Sequence, residues 1–306
     1  GTYVGKFLKF TQIISKGGPV QFFKSLGRAM LNMPLFVLAG MVEKTIKWMM
    51  ATDQATNAVA RAYAGNQKYT ESIREQSIEL GKLGIGQDKI KDAYLAMSTA
   101  VSSRISSSDK ESDALTSQAA KMDALGVSIS NTMAIASSLN ARGLGAEEIV
   151  NTTNEIMRMG DAMGVLTKDM MDGFQKASAT LAVYGPRMQT QIFGKLASAA
   201  KAAGVSIDSL LAVAGKFDTF DSAAKTVAGL NAVLGTQFSQ TEMLMMTEDE
   251  RLKTMISTVQ ATGQSFGSMD KFTQKAIAQA AGISDMAEAN KIFGMSLGEY
   301  ESYEMQ

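Results

Sequence analysis

Glycine recurs in one setting along this chain, at the end of a helical stripe and just before an apolar residue that opens the next. In LASAAKAAGVSIDSLLAVAG, Leu196, Ala199, Ala200 and Ala203 share one helical face. Gly204 then breaks the period, and Ile207, Leu210, Leu211 and Ala214 begin another. Glycine suits such a stop because it has no Cβ to oppose a left-handed backbone. Ser206 or Asp208 can then accept hydrogen bonds from the first free amides of the next helix. The same arrangement appears as LGIGQDKI, LGVSISNTM, MGVLTKDMM and AGISDMAEA, which makes Gly84, Gly126, Gly164, Gly204 and Gly282 the helix-junction glycines. Their steps are 42, 38, 40 and 78 residues, consistent with a helical repeat of about 40 residues carrying one degraded copy. Five glycines drawn from 27 can also line up by chance, so both readings stand.

No run of alternating β-branched residues is long enough for a strand, and only Pro19, Pro34 and Pro186 interrupt helix formation. The expected fold is therefore all-α, with Gly-punctuated helical hairpins in an irregular bundle or array and longer coil-forming helices near the N-terminal end. Hydrophobic content of 45% argues against long disorder. Twenty-two methionines beside abundant Ala, Ser and Gly imply close helix contacts in which Met fills the gaps.

Four regions follow in order. Residues 1–52 form a cationic, apolar segment: Lys6, Lys9, Lys16, Lys24 and Arg28 face no Asp or Glu before Glu43. Phe7, Leu8, Phe22, Phe23, Leu35, Phe36, Val37 and Leu38 are its candidate membrane-contacting residues. The apolar stretch from Ala29 to Val42 would reach only about 20 Å as a helix, short of a bilayer core of about 30 Å. A helix buried in a core or between subunits is the plainer reading. Residues 53–113 read as long amphipathic helices, with a partly polar seam (Val59, Tyr63, Asn66, Thr70, Ile73, Ser77, Leu80) suited to a loose coil, then a firmer stripe at Ile90, Ala93, Tyr94 and Met97. The polar run at 106–113 reads as an exposed turn. Residues 114–216 form a helical-hairpin region, with Thr167 expected to cap one helix. Residues 217–306 continue in helices. There, Thr247 and Glu250 are spaced as a capping box, and Asp270 starts a helix with Phe272, Ala276, Ile277 and Ala280 inward.

The chemistry available is narrow. Without Cys there are no disulfides, thiolate sites or cysteine nucleophiles, and without His the commonest general base and zinc ligand are missing. No cofactor is expected. The GLG at 143–145 and GIG at 84–86 lack the strand and third glycine of a dinucleotide fingerprint. Asp218 and Asp221 lack calcium-loop spacing and read as a helix-cap pair. Glu147/Glu148 and Glu248/Asp249/Glu250 fall in first turns that read as solvated rather than as apolar pockets able to raise a pKa. Equal numbers of basic and acidic residues, 30 each, weigh against sequence-specific nucleic-acid binding.

FDTFDSAAKTVAGLNAVLG, MTEDERLKTMISTVQATG and FTQKAIAQAAGISDMAEANKIFG, within residues 217–298, resemble the helical body of tape measure proteins from tailed bacteriophages. The Ala/Ser/Met/Gly-rich helices upstream, from about residue 80, are similar to the same family. The resemblance implies a non-enzymatic spacer that sets tail length, scaffolds polymerisation of the tail tube and takes part in DNA ejection. It implies a place in the lumen of the tail and, on ejection, at the host envelope. The implied partners are further copies of the chain about the tail axis, tail-tube proteins, tail-tip or baseplate hub proteins, and the host membrane. A chain of 306 residues is too short to measure a normal tail, and it opens on Gly1, so it is read as a section of something longer. The competing reading is a helical membrane-permeabilising effector acting through residues 1–52.

Overall fold

A computed structural model describes residues 35–62, 69–101 and 108–302. Every regular element among them is helical, and no strand occurs among the described residues. The fold class is all-α. The described residues fall into two compact units that divide between Asn151 and Thr152.

The first unit begins with α1 (Leu35–Ala62), α2 (Thr70–Gly81) and α3 (Gln87–Ala100), followed by α4 (Asp109–Ala124) and α5 (Ile129–Ala141). α3 lies at its centre, packed by α1, α2, α4 and α5. The stripe Ile90, Ala93, Tyr94 and Met97 is fully buried, with Val59, Tyr69, Ile73, Leu80, Ala119 and Met133 closing over it. Each large apolar side chain buried this way contributes about 1.5–3 kcal/mol. The Tyr94 hydroxyl escapes an unpaired burial by donating to Asp113 Oδ1 at 2.5 Å. The helices expected to form a loose coil are thus drawn into one core, and Ser77 of the polar seam is buried by donating to the Ile73 carbonyl at 2.7 Å.

The division falls inside α6 (Ala146–Met163). The second unit continues with α7 (Thr167–Thr180), a 3-10 turn (Leu181–Val183), α8 (Pro186–Ala203), α9 (Ile207–Ala214) and α10 (Phe220–Leu234). It ends with α11 (Gln240–Met245), α12 (Glu248–Ala261), α13 (Lys271–Ala280), α14 (Met286–Gly294) and α15 (Leu297–Ser302). The short apolar α9 is wrapped by α7, α8 and α12. Phe174 and Phe193 meet edge to face at 5.2 Å beside it. Methionine does fill gaps over small residues. A Cβ placed on Gly194 would lie 2.9 Å from Met159 Sδ, and one on Gly160 would lie 2.7 Å from Met170 Cγ.

Several expectations are corrected by these elements. The boundaries anticipated at 52/53 and 113/114 lie within α1 and α4. The polar run before residue 114 starts a helix instead of forming a turn: Ser108 accepts from the Glu111 amide at 3.4 Å and Asp109 opens α4. Thr167 does not cap α7. The extended residue before that helix is Leu166, which leaves Thr167 already in the first turn. Phe272 is 85% exposed, because the inward face of α13 is centred on Ile277 and Ala278. Thr219, not the Asp218/Asp221 pair, caps α10, accepting from the Ser222 amide at 3.3 Å.

Candidate functional site

The five junction glycines adopt φ of +81° (Gly84), +88° (Gly126), +62° (Gly164), +65° (Gly204) and +77° (Gly282), and all five are exposed. In each case the next amide turns back to a carbonyl five residues earlier. Val127 donates to Met122 at 2.9 Å, Val165 to Gly160 at 2.8 Å, Val205 to Ala200 at 3.0 Å, Ile85 to Leu80 at 3.1 Å, and Ile283 to Ala278 at 2.8 Å. This is the Schellman stop, in which glycine supplies the left-handed residue and the apolar residue after it folds back over the last turn. The recurring glycine and the apolar residue after it are thus the requirement of one helix-ending device. Between Gly84 and Gly204, the described residues of each of the three intervals hold two α-helices, a shorter then a longer: 14 and 16, 13 and 18, 14 and 18 residues. Beyond Gly204, Gly235 and Gly263 also take positive φ and divide the long final step.

Helix starts are equally tied. Ser128 accepts from the Asn131 amide at 3.2 Å, Ser206 from Ser209 at 3.1 Å and Asp285 from Ala287 at 2.7 Å. Asp208, the alternative cap, instead receives Lys176 Nζ at 3.0 Å.

The densest polar arrangement in the second unit surrounds the start of α12. Residues 248, 252, 255 and 259 share one stripe, so the first acid of TEDERL points into the same core as Leu252, Met255 and Val259. Glu248 and Asp249 are only 2% and 3% exposed, which overturns the solvated reading for those two; Glu147, Glu148 and Glu250 are exposed as expected. Successive side chains fan out by about 100°, so each meets different surroundings. Burial raises the Glu248 pKa above the ordinary value, against the opposing influence of nearby Arg251. Asp249 takes Lys195 Nζ at 2.9 Å and the Thr247 hydroxyl at 2.6 Å. Glu250 accepts the Thr247 amide at 2.9 Å, its half of the anticipated capping box. Arg251 is buried and donates to the carbonyls of Met243 (2.9 Å), Ala214 (3.2 Å) and Leu244 (3.2 Å) and to Asp218 Oδ1 (2.6 Å). It joins the ends of α9 and α11 to the start of α12.

Beside this turn is an open cleft of about 770 Å³, lined by Glu155, Arg158, Met159, Met188, Lys195 and Asp249 among others. Glu248, the carboxyl with the raised pKa, does not line it, while the lining Asp249 and Glu250 are held by Lys195 and by a backbone amide. Glu155, which is exposed, is the third carboxyl of the lining. Among the described residues no group of three or more carboxylates is placed to hold a metal ion. Asp218 and Asp221 are separately engaged, by Arg251 and by Lys225.

Phe7, Leu8, Phe22 and Phe23 lie outside the described residues, and Leu35, Phe36, Val37 and Leu38 form the first turn of α1. No single described helix is long and apolar enough to cross a membrane. The pair Pro186–Ala203 and Ile207–Phe217 passes by composition across a 115° bend, but its Phe193, Leu196, Leu210 and Phe217 are buried in the second unit's own core.

No family model, curated protein or solved structure matches this chain. The buried Glu248, Asp249 and Arg251 were the residues missed in the sequence. The signal was available in part, because Glu248 lies one turn before Leu252 on the apolar stripe.

Proposed function

We propose that the chain is a structural, non-enzymatic segment of a tail tape measure protein of a tailed bacteriophage. In this reading it helps to set tail length, scaffolds tail-tube assembly and leaves the tail during DNA ejection. Its partners are copies of itself about the tail axis, tail-tube and tail-tip or baseplate hub proteins, and the host membrane on ejection. No cofactor and no sequence-specific nucleic acid take part.

One observation carries the reading alongside the resemblance of residues 217–298. In a chain with neither His nor Cys, several of the buried and capping polar groups are occupied in joining or closing helix ends. Arg251 holds three carbonyls, Asp249 is held by Lys195 and Thr247, and Asp270 and Asp285 each cap a helix. Such a molecule acts through extent and shape. The test is quantitative mass spectrometry of purified virions before and after triggered ejection. Peptides of this chain at a few copies per tail, depleted after ejection, support the proposal; their absence from virions contradicts it. Dye leakage from anionic liposomes that disappears on deletion of residues 1–42 would instead favour a membrane-permeabilising effector.

A further inference from the structure

The cleft beside the start of α12 has a soft, thioether-rich lining. Met159 and Met163, one turn apart on α6, reach across to α8. A Cβ on Gly194 would lie 2.9 Å from Met159 Sδ, and Met163 Sδ accepts the Ser198 hydroxyl at 3.2 Å. Met188, 45% exposed, and the buried Ile192 extend this apolar wall along α8. A trough of about 770 Å³ lies within the range of small-molecule sites, about 300–1,000 Å³. Methionine suits a flexible apolar occupant, because its unbranched side chain re-packs at little cost. Most of the charge in the lining is already answered within the chain. Lys195 and Asp249 neutralise one another at 2.9 Å, and Glu250 accepts the Thr247 amide at 2.9 Å, at the positive end of the α12 dipole. Glu155 and Arg158 differ. They stand three residues apart on α6, a spacing at which opposite charges can meet. Arg158 nevertheless turns its Nε to the Asn154 carbonyl at 3.3 Å, and neither side chain has an ion-pair partner among the described residues. Both are exposed and both line the cleft. An apolar trough is thus edged by one open carboxylate and one open guanidinium.

We propose that this cleft binds a single zwitterionic phospholipid molecule, with its ammonium at Glu155, its phosphate at Arg158 and its acyl chain against Met159, Met163, Met188 and Ile192. Charge complementarity selects this occupant. A purely anionic head would satisfy Arg158 but be repelled by Glu155 and Glu250, and a purely cationic head would be repelled by Arg158. An uncharged head would cover both open charges without answering either. The planar guanidinium matches two phosphate oxygens at once, which a point charge cannot do. The tail is held by the apolar area it removes from water.

The test is titration of the full chain with dodecylphosphocholine below its critical micelle concentration, followed by NMR of labelled methionine methyl groups. The Met159, Met163 and Met188 signals are expected to shift together and saturate. Those of Met50 and Met245, which are 58% and 84% exposed and outside the cleft, are expected to stay in place. Glu155→Gln and Arg158→Gln should each weaken the binding several-fold, and because both side chains are exposed the variants should keep the parent circular dichroism spectrum. Dodecyl maltoside, with the same tail and an uncharged head, should bind several-fold more weakly, and phosphocholine without a tail should not saturate the signals. Absence of a saturable shift, equal movement of Met50 and Met245, undiminished binding by either variant, or equal affinity for dodecyl maltoside would each overturn the proposal.

Discussion

Arg251 and Asp218 meet at 2.6 Å across 33 positions of sequence, and the same guanidinium accounts for three carbonyls at the ends of α9 and α11. The arginine is buried, whereas the Asp218 side chain is 45% exposed. The two partners should therefore respond very differently to substitution.

Replacing Arg251 with Met leaves the three carbonyls and Asp218 without their donor. Loss of one member of a buried charged network costs about 3–5 kcal/mol. Arg251→Lys should recover little of this, because a single ammonium cannot reproduce the guanidinium fork. Asp218→Asn, at a half-exposed carboxylate, should cost under about 1 kcal/mol. Urea denaturation followed by circular dichroism, compared as shifts in midpoint, checks the ranking.

The glycines should separate by their backbone conformation. Gly204→Ala places a Cβ in a left-handed residue with open space around it, a cost of about 1–2 kcal/mol. Gly282→Ala should cost about as much, since the added Cβ meets only the far end of the Lys216 side chain, which can swing aside. Gly185→Ala should be neutral or slightly stabilising, because Gly185 has φ of −61° and no atom within 4 Å of the added carbon. Thermal melts of the three single variants decide the order.

Asp270 should titrate in the opposite sense to Glu248. The Thr273 hydroxyl and the amides of Thr273 and Phe272 hold its carboxyl below the ordinary value. A depressed carboxyl stabilises the fold above the unfolded value, and the contribution fades as pH falls through the folded value. Asp270→Asn should thus fray the start of α13 at neutral pH and make little difference in strong acid. Hydrogen exchange of peptides covering 270–280 reads this directly.

A non-enzymatic chain should leave peptidoglycan intact. With Asp249 held by Lys195 and Glu250 by the Thr247 amide, the purified chain is expected to be strongly helical by circular dichroism and to leave a peptidoglycan-containing gel uncleared. A cleared zone would contradict the spacer reading.

The sequence made the helical class and the helix stops legible, because a Schellman turn is a local event that needs only glycine and the apolar residue after it. Helix starts were legible where a hydroxyl occupies the extended position, as at Ser206. They were misread at 166–167, where the backbone turns helical one residue early and Leu166 takes that position. The buried acids of α12 were hidden for a different reason. Whether Asp249 can be buried depends on Lys195, 54 residues away. Such partners are brought together only by tertiary packing.

Tail length is the quantity on which the proposed role rests. In a phage whose tail contains this chain, an in-frame deletion of residues 127–204 joins one glycine junction to the next helix start while removing α5 to α8. Electron microscopy of the mutant virions is expected to show tails shortened by up to about 1.5 Å for each residue removed. Tails of unchanged length, produced in normal numbers, would contradict it.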